Sequence, residues 1–370
     1  MAKALKDQFG PDVAKSLAKD LVGAWKAFPV ERFLSVVLKG YEELELMDRV
    51  RHIAFGLEKS LPEDFQKAAR IVKKALGPPL VETSGNGLGT FRYLPYGFWL
   101  GEKGMNHPKE ALQLQLELTR RCTSEFSVRP FLSRHYRTTL AFLENQVEHS
   151  CPHVRRWVSE GTRPHLPWGK GVKEIVENPE GHLHLLEELK DDEHIYVRKS
   201  VGNHLNDLSR HHPDLLLRIA KRWSSDAPEG RTWILKQALR TLVKKGNREA
   251  LGILGYGKAP KIELLEKATF PKKVKKGGDV NLSWALGSLS KKSQPLMVDL
   301  VIAYPRSGGK AFLKTFKCKQ FELEGGEVMS MKKKISLKDL STRLHEPGQH
   351  DVHLLINGRR VEMDSFVLLK

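Results

Sequence analysis

Cysteine is scarce in this chain: Cys122, Cys151 and Cys318 stand far apart and are odd in number. They give neither a disulfide framework nor a metal-ligand spacing, and a reducing cytoplasm is the expected compartment. Long apolar runs are missing too. No stretch of about twenty apolar residues is there to cross a bilayer. The opening MAKALKDQFGPDVAKSLAKD lacks the uninterrupted apolar core of a secretory signal, so none is expected. The third shortage is acid: 44 Asp+Glu face 62 Lys+Arg, a formal net charge of +18. A field of that sign attracts polyanions. The basic residues are spread over the whole chain rather than gathered on one amphipathic helix, so nucleic acid is the expected partner and a membrane is not.

What remains is an ordinary globular composition in 370 residues, long enough for two domains. Residues 11–77 carry helical stripes. Val13, Leu17, Leu21 and Trp25 recur every four residues, and Phe33, Val36, Val37 and Tyr41 form a second stripe. Val50, Ile53, Ala54 and Leu57 form a third, then Phe65, Ala68, Ile71, Val72 and Leu76 a fourth, which Pro62-Glu63-Asp64 is suited to start. Residues 77–108 are dense in glycine, proline and aromatics and read as an ordered loop stapled to the helices, with a DNA-facing loop as the other reading. Helices resume after Pro108. Glu125, in TRRCTSEFSVRPFL, is expected at the end of an apolar helix, where a carboxylate is disfavoured by the helix dipole. Arg129 is its expected ion-pair partner, unless the carboxylate is functional.

The densest stretch is Arg155–Gly169, RRWVSEGTRPHLPWG. Its helix is expected to end near Glu160-Gly161. Pro164 biases Arg163 to extended backbone, and Pro167 keeps Trp168 out of a helix. Trp157 shares a face with Val154 and is expected in the core. Val154-Arg155 with Val158 is echoed by Val197-Arg198 with Val201, and more loosely by Trp233, Leu235, Leu239 and Leu242. Helix pairs recurring at about 35–45 residues indicate a HEAT-like α-solenoid. Glu160 and Trp168 fall outside the echo. In the second unit Asn203, Asn206, Asp207 and Arg210 lie on one helix side, opposite Val197, Val201, Leu205 and Leu208. Asp207 is thereby expected on the face lining a concave groove.

Near residue 268 the pattern changes to period two. Val280, Leu282, Trp284 and Leu286 share a face, as do Leu296 to Tyr304 at alternate positions, and Val352, Leu354 and Ile356. Turns are expected at Ser307-Gly308-Gly309, Gly325-Gly326 and Asn357-Gly358, the last a strong hairpin signal. Short alternating strands over about a hundred residues indicate an immunoglobulin-like β-sandwich. Residues 271–370 hold 19 Lys+Arg against 10 Asp+Glu, a balance of +9, so this part supplies half the net charge and is expected to meet the same polyanion. The fold class is therefore mainly α, a HEAT-like solenoid over residues 1–267 followed by a small all-β sandwich over 268–370.

The blocks VRRWVSEGTRPHLPWG, TSEFSVRPFL and SVGNHLNDLSRHHPDL resemble those of the AlkC alkylbase DNA glycosylases, HEAT-like-repeat relatives of the AlkD enzymes. The resemblance runs from about residue 10 to 265, and one branch of that family carries an immunoglobulin-like module after it. It implies hydrolysis of the N-glycosidic bond of cationic methylated bases in double-stranded DNA: 3-methyladenine, and also 3-methylcytosine or 1-methyladenine. It implies no metal and no other cofactor. Asp207, Glu160 and Glu125 fall at the family's functional carboxylates and Trp168 at its functional aromatic, with Asp207 expected first for placing the water and stabilising the sugar cation, Glu160 second and Glu125 third. Arg155, Arg156, Arg163, Lys170, Arg198 and Arg210 would hold phosphates, with Arg306 and Lys310 doing so in the β part. A monomer associated with the nucleoid is expected. The competing reading is a non-catalytic DNA-binding solenoid, which gains nothing by burying carboxylates beside phosphates.

Overall fold

The computed structural model describes residues 5–84, 87–306, 308–309, 311–339 and 344–370. Ser307 and Lys310 therefore lie outside the described residues. Packing divides the chain into two units: Met1–His212 with Asp226–Ala238, and Pro213–Ser225 with Leu239–Lys370.

The helices run α1 (Pro11–Ala24), α2 (Val30–Leu38), α3 (Leu46–Ser60), α4 (Phe65–Ala75), α5 (Leu94–Lys103), α6 (Pro108–Thr119), α7 (Val128–Arg134) and α8 (Tyr136–Glu144). They continue as α9 (Pro152–Gly161), α10 (Lys173–Glu177), α11 (His184–Leu189), α12 (Ile195–Leu208), α13 (Pro213–Ser224), α14 (Glu229–Ala238), α15 (Arg240–Lys244) and α16 (Arg248–Ile253). The stripes read from the sequence are the buried faces: Val13, Leu17 and Leu21 of α1, Phe33 and Val37 of α2, and Phe65, Ala68 and Val72 of α4. Asp64 caps α4, its carboxylate accepting the Lys67 N–H at 2.7 Å, one of the four donors a helix start leaves without a partner.

The helical region is a HEAT-like stack. The echo at Val154 and Val197 corresponds to α9 and α12, which pack on each other, and α12 packs in turn on α14. Sandwiched this way, α12 is buried nearly all round. Gly202 permits the second contact, since a Cβ there would come within 2.9 Å of the Gln237 Cβ. No helix among the described residues is long and apolar enough to cross a membrane.

Among its described residues the second unit contains eight strands: β1 (Ile262–Phe270), β2 (Lys273–Val274), β3 (Asp279–Ser288), β4 (Gln294–Tyr304), β5 (Phe312–Leu323), β6 (Val328–Ser336), β7 (Gly348–Ile356) and β8 (Arg359–Leu368). They form a three-stranded sheet in the order β1-β3-β6 and a five-stranded sheet in the order β2-β8-β7-β4-β5. The core between them is built largely from the alternating residues expected, including Trp284, Leu300, Ile302 and Leu354, joined by Phe366 of β8. The change to period two falls inside β1, which begins at Ile262. Asn357 and Gly358 join β7 to β8 with φ of 44° and 78°, the left-handed pair that a two-residue hairpin requires.

Candidate active site

Glu125 does not close a helix. It lies in the turn between α6 and α7, where the Ser124 carbonyl accepts the Val128 N–H at 3.1 Å. The expected dipole conflict vanishes, because a helix start favours a carboxylate. The expected partner is also different. Glu125 Oε2 accepts from the Thr123 hydroxyl at 2.7 Å and pairs with Arg156 Nη1 at 2.9 Å. Arg129, which is buried, instead donates to the carbonyls of Gly161 at 3.1 Å, Arg163 at 2.8 Å and Lys170 at 2.5 Å. It clamps the whole loop that follows α9.

Glu160 occupies the last turn of α9, as expected, and is almost wholly buried. Its Oε1 pairs with Arg163 Nη1 at 2.6 Å and Arg156 Nη2 at 3.7 Å, while Oε2 accepts the Ser200 hydroxyl at 2.6 Å. Burial alone would raise its pKa; the charges of Arg156 and Arg163 and the Ser200 hydroxyl outweigh it and hold the carboxyl below its ordinary value. Asp207 takes the other side of Arg163. Its Oδ2 accepts Arg163 Nε at 2.9 Å and the His165 N–H at 3.2 Å, and its Oδ1 accepts Arg163 Nη2 at 3.2 Å. The result is one row of alternating charge, Glu125–Arg156–Glu160–Arg163–Asp207, in which a single guanidinium separates each carboxylate from the next.

A cleft of about 430 Å³ opens beside this row. Glu125, Arg156, Glu160 and Trp168 line it, with Phe91, Leu94 and Phe126 among its apolar walls. Phe91 and Leu94 come from the glycine-rich stretch after α4, so that stretch builds site wall as well as staple. Asp207 is not part of the lining. Its expected place on an open groove is corrected: the polar face of α12 is consumed by neighbours, Asp207 by the α9 loop and Asn206 by the Ala238 carbonyl at 2.8 Å.

Trp168 is 61% exposed and has φ of 62°. The Gly169 N–H returns to the Leu166 carbonyl at 3.1 Å, so Leu166–Gly169 is a turn with proline second and positive φ third. That third place normally takes glycine, and a bulky residue there costs about 1–3 kcal/mol. Trp168→Gly should therefore raise stability by about 1 kcal/mol net of the extra freedom glycine has when unfolded. Thermal melting checks this, and an unchanged or lower midpoint would remove the strain from the account. Trp157, by contrast, is fully buried, as its helical face indicated.

The expected phosphate ligands divide sharply. Arg155 is buried and bidentate to Asp192, at 2.6 and 3.1 Å. Arg198 donates to the Asp192 and Glu193 carbonyls at 2.6 and 2.9 Å. Arg156 is packed between Glu125 and Glu160 with its guanidinium 5.1 Å from the Tyr196 ring centre. Arg163 is held between two carboxylates. Arg155, Arg156 and Arg163 are corrected, because carboxylates inside the protein engage them, whereas Arg198 is engaged through Nη1 alone. Lys170 and Arg210 are exposed, as is Arg306, which lies over the Phe312 ring at 4.7 Å. Two residues escaped the sequence reading: Ser200, which donates to Glu160, and His204. With Asp207 they sit at i, i+4 and i+7 of α12, one helix face, and that spacing was the available signal.

Three comparisons bear on this arrangement. Residues 264–370 match the family model described as the C-terminal Ig-like domain of the uncharacterised protein YhaZ. The YhaZ protein of Bacillus subtilis is 34% identical over 355 residues, covering 96% of both chains. The structure of Pseudomonas fluorescens alkylpurine DNA glycosylase AlkC, bound to DNA containing an abasic-site analogue, superposes with a TM-score of 0.93 at 31% identity, covering 100% of each chain. A helical-repeat protein with an appended immunoglobulin-like domain is thus the class, and the chain belongs to the AlkC family within it.

Proposed function

We propose that this protein is a DNA glycosylase that releases alkylated bases in base excision repair, acting on cationic lesions such as 3-methyladenine, 3-methylcytosine or 1-methyladenine. The observation that carries the reading is the row of three carboxylates beside a cleft into which an exposed tryptophan is held at a strained backbone angle. A passive DNA binder has no use for buried acids next to phosphates. The chain's likeness over its full length to a glycosylase solved on DNA supports the same conclusion.

The chemistry asks for such a site. A cationic base is already a good leaving group, so its N-glycosidic bond breaks with the electron pair returning to the base nitrogen. What needs help is the sugar, which becomes oxocarbenium-like, and the water that adds to its anomeric carbon. Glu125 suits that work best. It lines the cleft, and its Oε1 takes no hydrogen bond from the described residues. Glu160 adds negative charge beside it. Asp207 has both oxygens committed to Arg163 and the His165 N–H, so it holds the loop rather than the water. The Trp168 indole can attract the cationic base, an effect of about 1–2 kcal/mol when water is excluded.

The direct test is a base-release assay with the whole protein on methylated and undamaged duplexes. Release of methylated bases alone supports the reading; binding without release supports a non-catalytic sensor. DNA contact itself has a separate signature. Lys170→Ala and Arg210→Ala should each weaken binding across sequences and lower the slope of log affinity against log salt by about 1. Arg155→Ala should leave that slope unchanged, and a loss of slope there would return Arg155 to the phosphates.

A further inference from the structure

Behind Glu160 lies a buried polar chain that the proposed chemistry does not use. Ser200 and His204 both rise from α12 toward α9, and each is nine-tenths buried or more. The Ser200 hydroxyl lies 2.6 Å from Glu160 Oε2 and 2.9 Å from the Ser159 hydroxyl. His204 Nδ1 lies 3.0 Å from the Ser159 carbonyl, and its Nε2 lies 3.2 Å from Nε2 of His182, which is also fully buried.

The donors in this chain are forced. A carbonyl only accepts, so His204 Nδ1 carries a proton. Burial pushes the His204 pKa down to about 3, so the ring is neutral and its Nε2 carries none. That bare nitrogen accepts from His182 Nε2–H. At the other end the ionised Glu160 only accepts, so Ser200 donates to it, and Ser159 donates to Ser200. Every hydrogen bond here has one direction, in two runs: the histidines end on the Ser159 carbonyl, and the two serine hydroxyls end on the Glu160 carboxylate.

The same contacts complete the end of α9. A helix leaves its last four carbonyls without internal partners. Here the Thr162 hydroxyl takes the Val158 carbonyl at 2.8 Å, His204 takes that of Ser159, the Arg163 N–H takes that of Glu160 at 3.3 Å, and Arg129 takes that of Gly161. The turn carrying Glu160 is therefore fastened from the side by α12, while the Glu160 carboxylate is fastened by Ser200 on the same helix.

We infer that Ser200, backed by Ser159 and the His204–His182 pair, is a positioning residue that fixes the orientation and ionisation of Glu160 for base release. The inference rests on the glycosylase reading. Removing a donor from an ionised carboxylate raises its pKa, so Ser200→Ala should move the acid limb of the pH–rate profile to higher pH. Single-turnover release should fall about tenfold at neutral pH, while affinity for DNA with an abasic-site analogue stays within about twofold, because one hydrogen bond to a charged group is worth roughly that much rate. Ser200→Thr, which keeps the hydroxyl, should restore the limb. A merely structural role would lower the melting temperature and leave the limb where it is.

The experiment is single-turnover release by the full chain across pH 4–9 for wild type, Ser200→Ala and Ser200→Thr, with melting temperatures measured alongside. An unmoved acid limb in an active Ser200→Ala protein overturns the positioning role. So does a shifted limb that the folded threonine variant fails to restore. Wild-type protein that releases no methylated base overturns the glycosylase reading instead, which keeps the two failures apart.

Discussion

Glu125→Gln is expected to slow release of methylated bases by about 10²–10³-fold, the usual loss when one preorganised electrostatic group is removed from a reacting centre. Glutamine keeps the shape and still accepts the Thr123 hydroxyl, and Arg156 retains Glu160, so melting temperature should change little. Asp207→Asn is the informative control. Its carboxylate bonds Arg163 through both oxygens, and an amide weakens that clasp without touching the cleft lining. Its effect should therefore be smaller than that of Glu125→Gln. Single-turnover release by both variants decides the matter, and the opposite order would place Asp207 at the reacting sugar and Glu125 in support.

Arg163→Leu should produce the largest loss of stability. Arg163 is the one cation shared by Glu160 and Asp207, and removing one partner of a buried pair costs about 3–5 kcal/mol. Acid should narrow that loss. In the wild-type protein Glu160 titrates below its ordinary value, so its contribution is present at neutral pH and fades as pH falls through that lowered value. Without Arg163 the burial of Glu160 is opposed only by Arg156 and Ser200, so the carboxyl takes up a proton more readily. The gap between variant and wild type should therefore shrink between pH 7 and about pH 4, near the usual carboxylate range. Chemical denaturation at the two pH values measures it, and a gap that widens with acid would contradict the charge-row account.

The elements were legible where one kind of burial dominates. The period-four stripes of α1 to α4 and the alternation in β3 and β7 each report a single apolar face, whereas β4 is buried on both faces. The Asn357-Gly358 hairpin was legible because only certain residues tolerate paired positive φ. Of the site, Glu160 and Trp168 stood out because the repeat does not explain them. Other parts were hidden for physical reasons. Net charge reports attraction to a polyanion but not which arginines are engaged inside, and nearby carboxylates or carbonyls hold Arg155, Arg156, Arg163 and, through Nη1, Arg198. The polar face of α12 looks like an open groove in sequence because polarity resembles exposure. In a helix sandwiched between α9 and α14, those polar groups are satisfied by the neighbours instead. The place of Glu125 is hidden because nothing in the sequence marks the end of the apolar run of α6 at Thr119.

The loop between α9 and α10 has a bearing on how the protein could search DNA. Arg129 grips it at Gly161, Arg163 and Lys170, Asp207 grips it at the His165 N–H, and Pro167 stiffens the turn that projects Trp168. Its conformational entropy is surrendered once, during folding, rather than at each encounter with a base pair. A probe ordered in advance needs no closing step before it tests a site. On the glycosylase reading proposed above, with Trp168 as the group that meets the base, sampling of successive base pairs then runs as fast as the protein moves along the duplex.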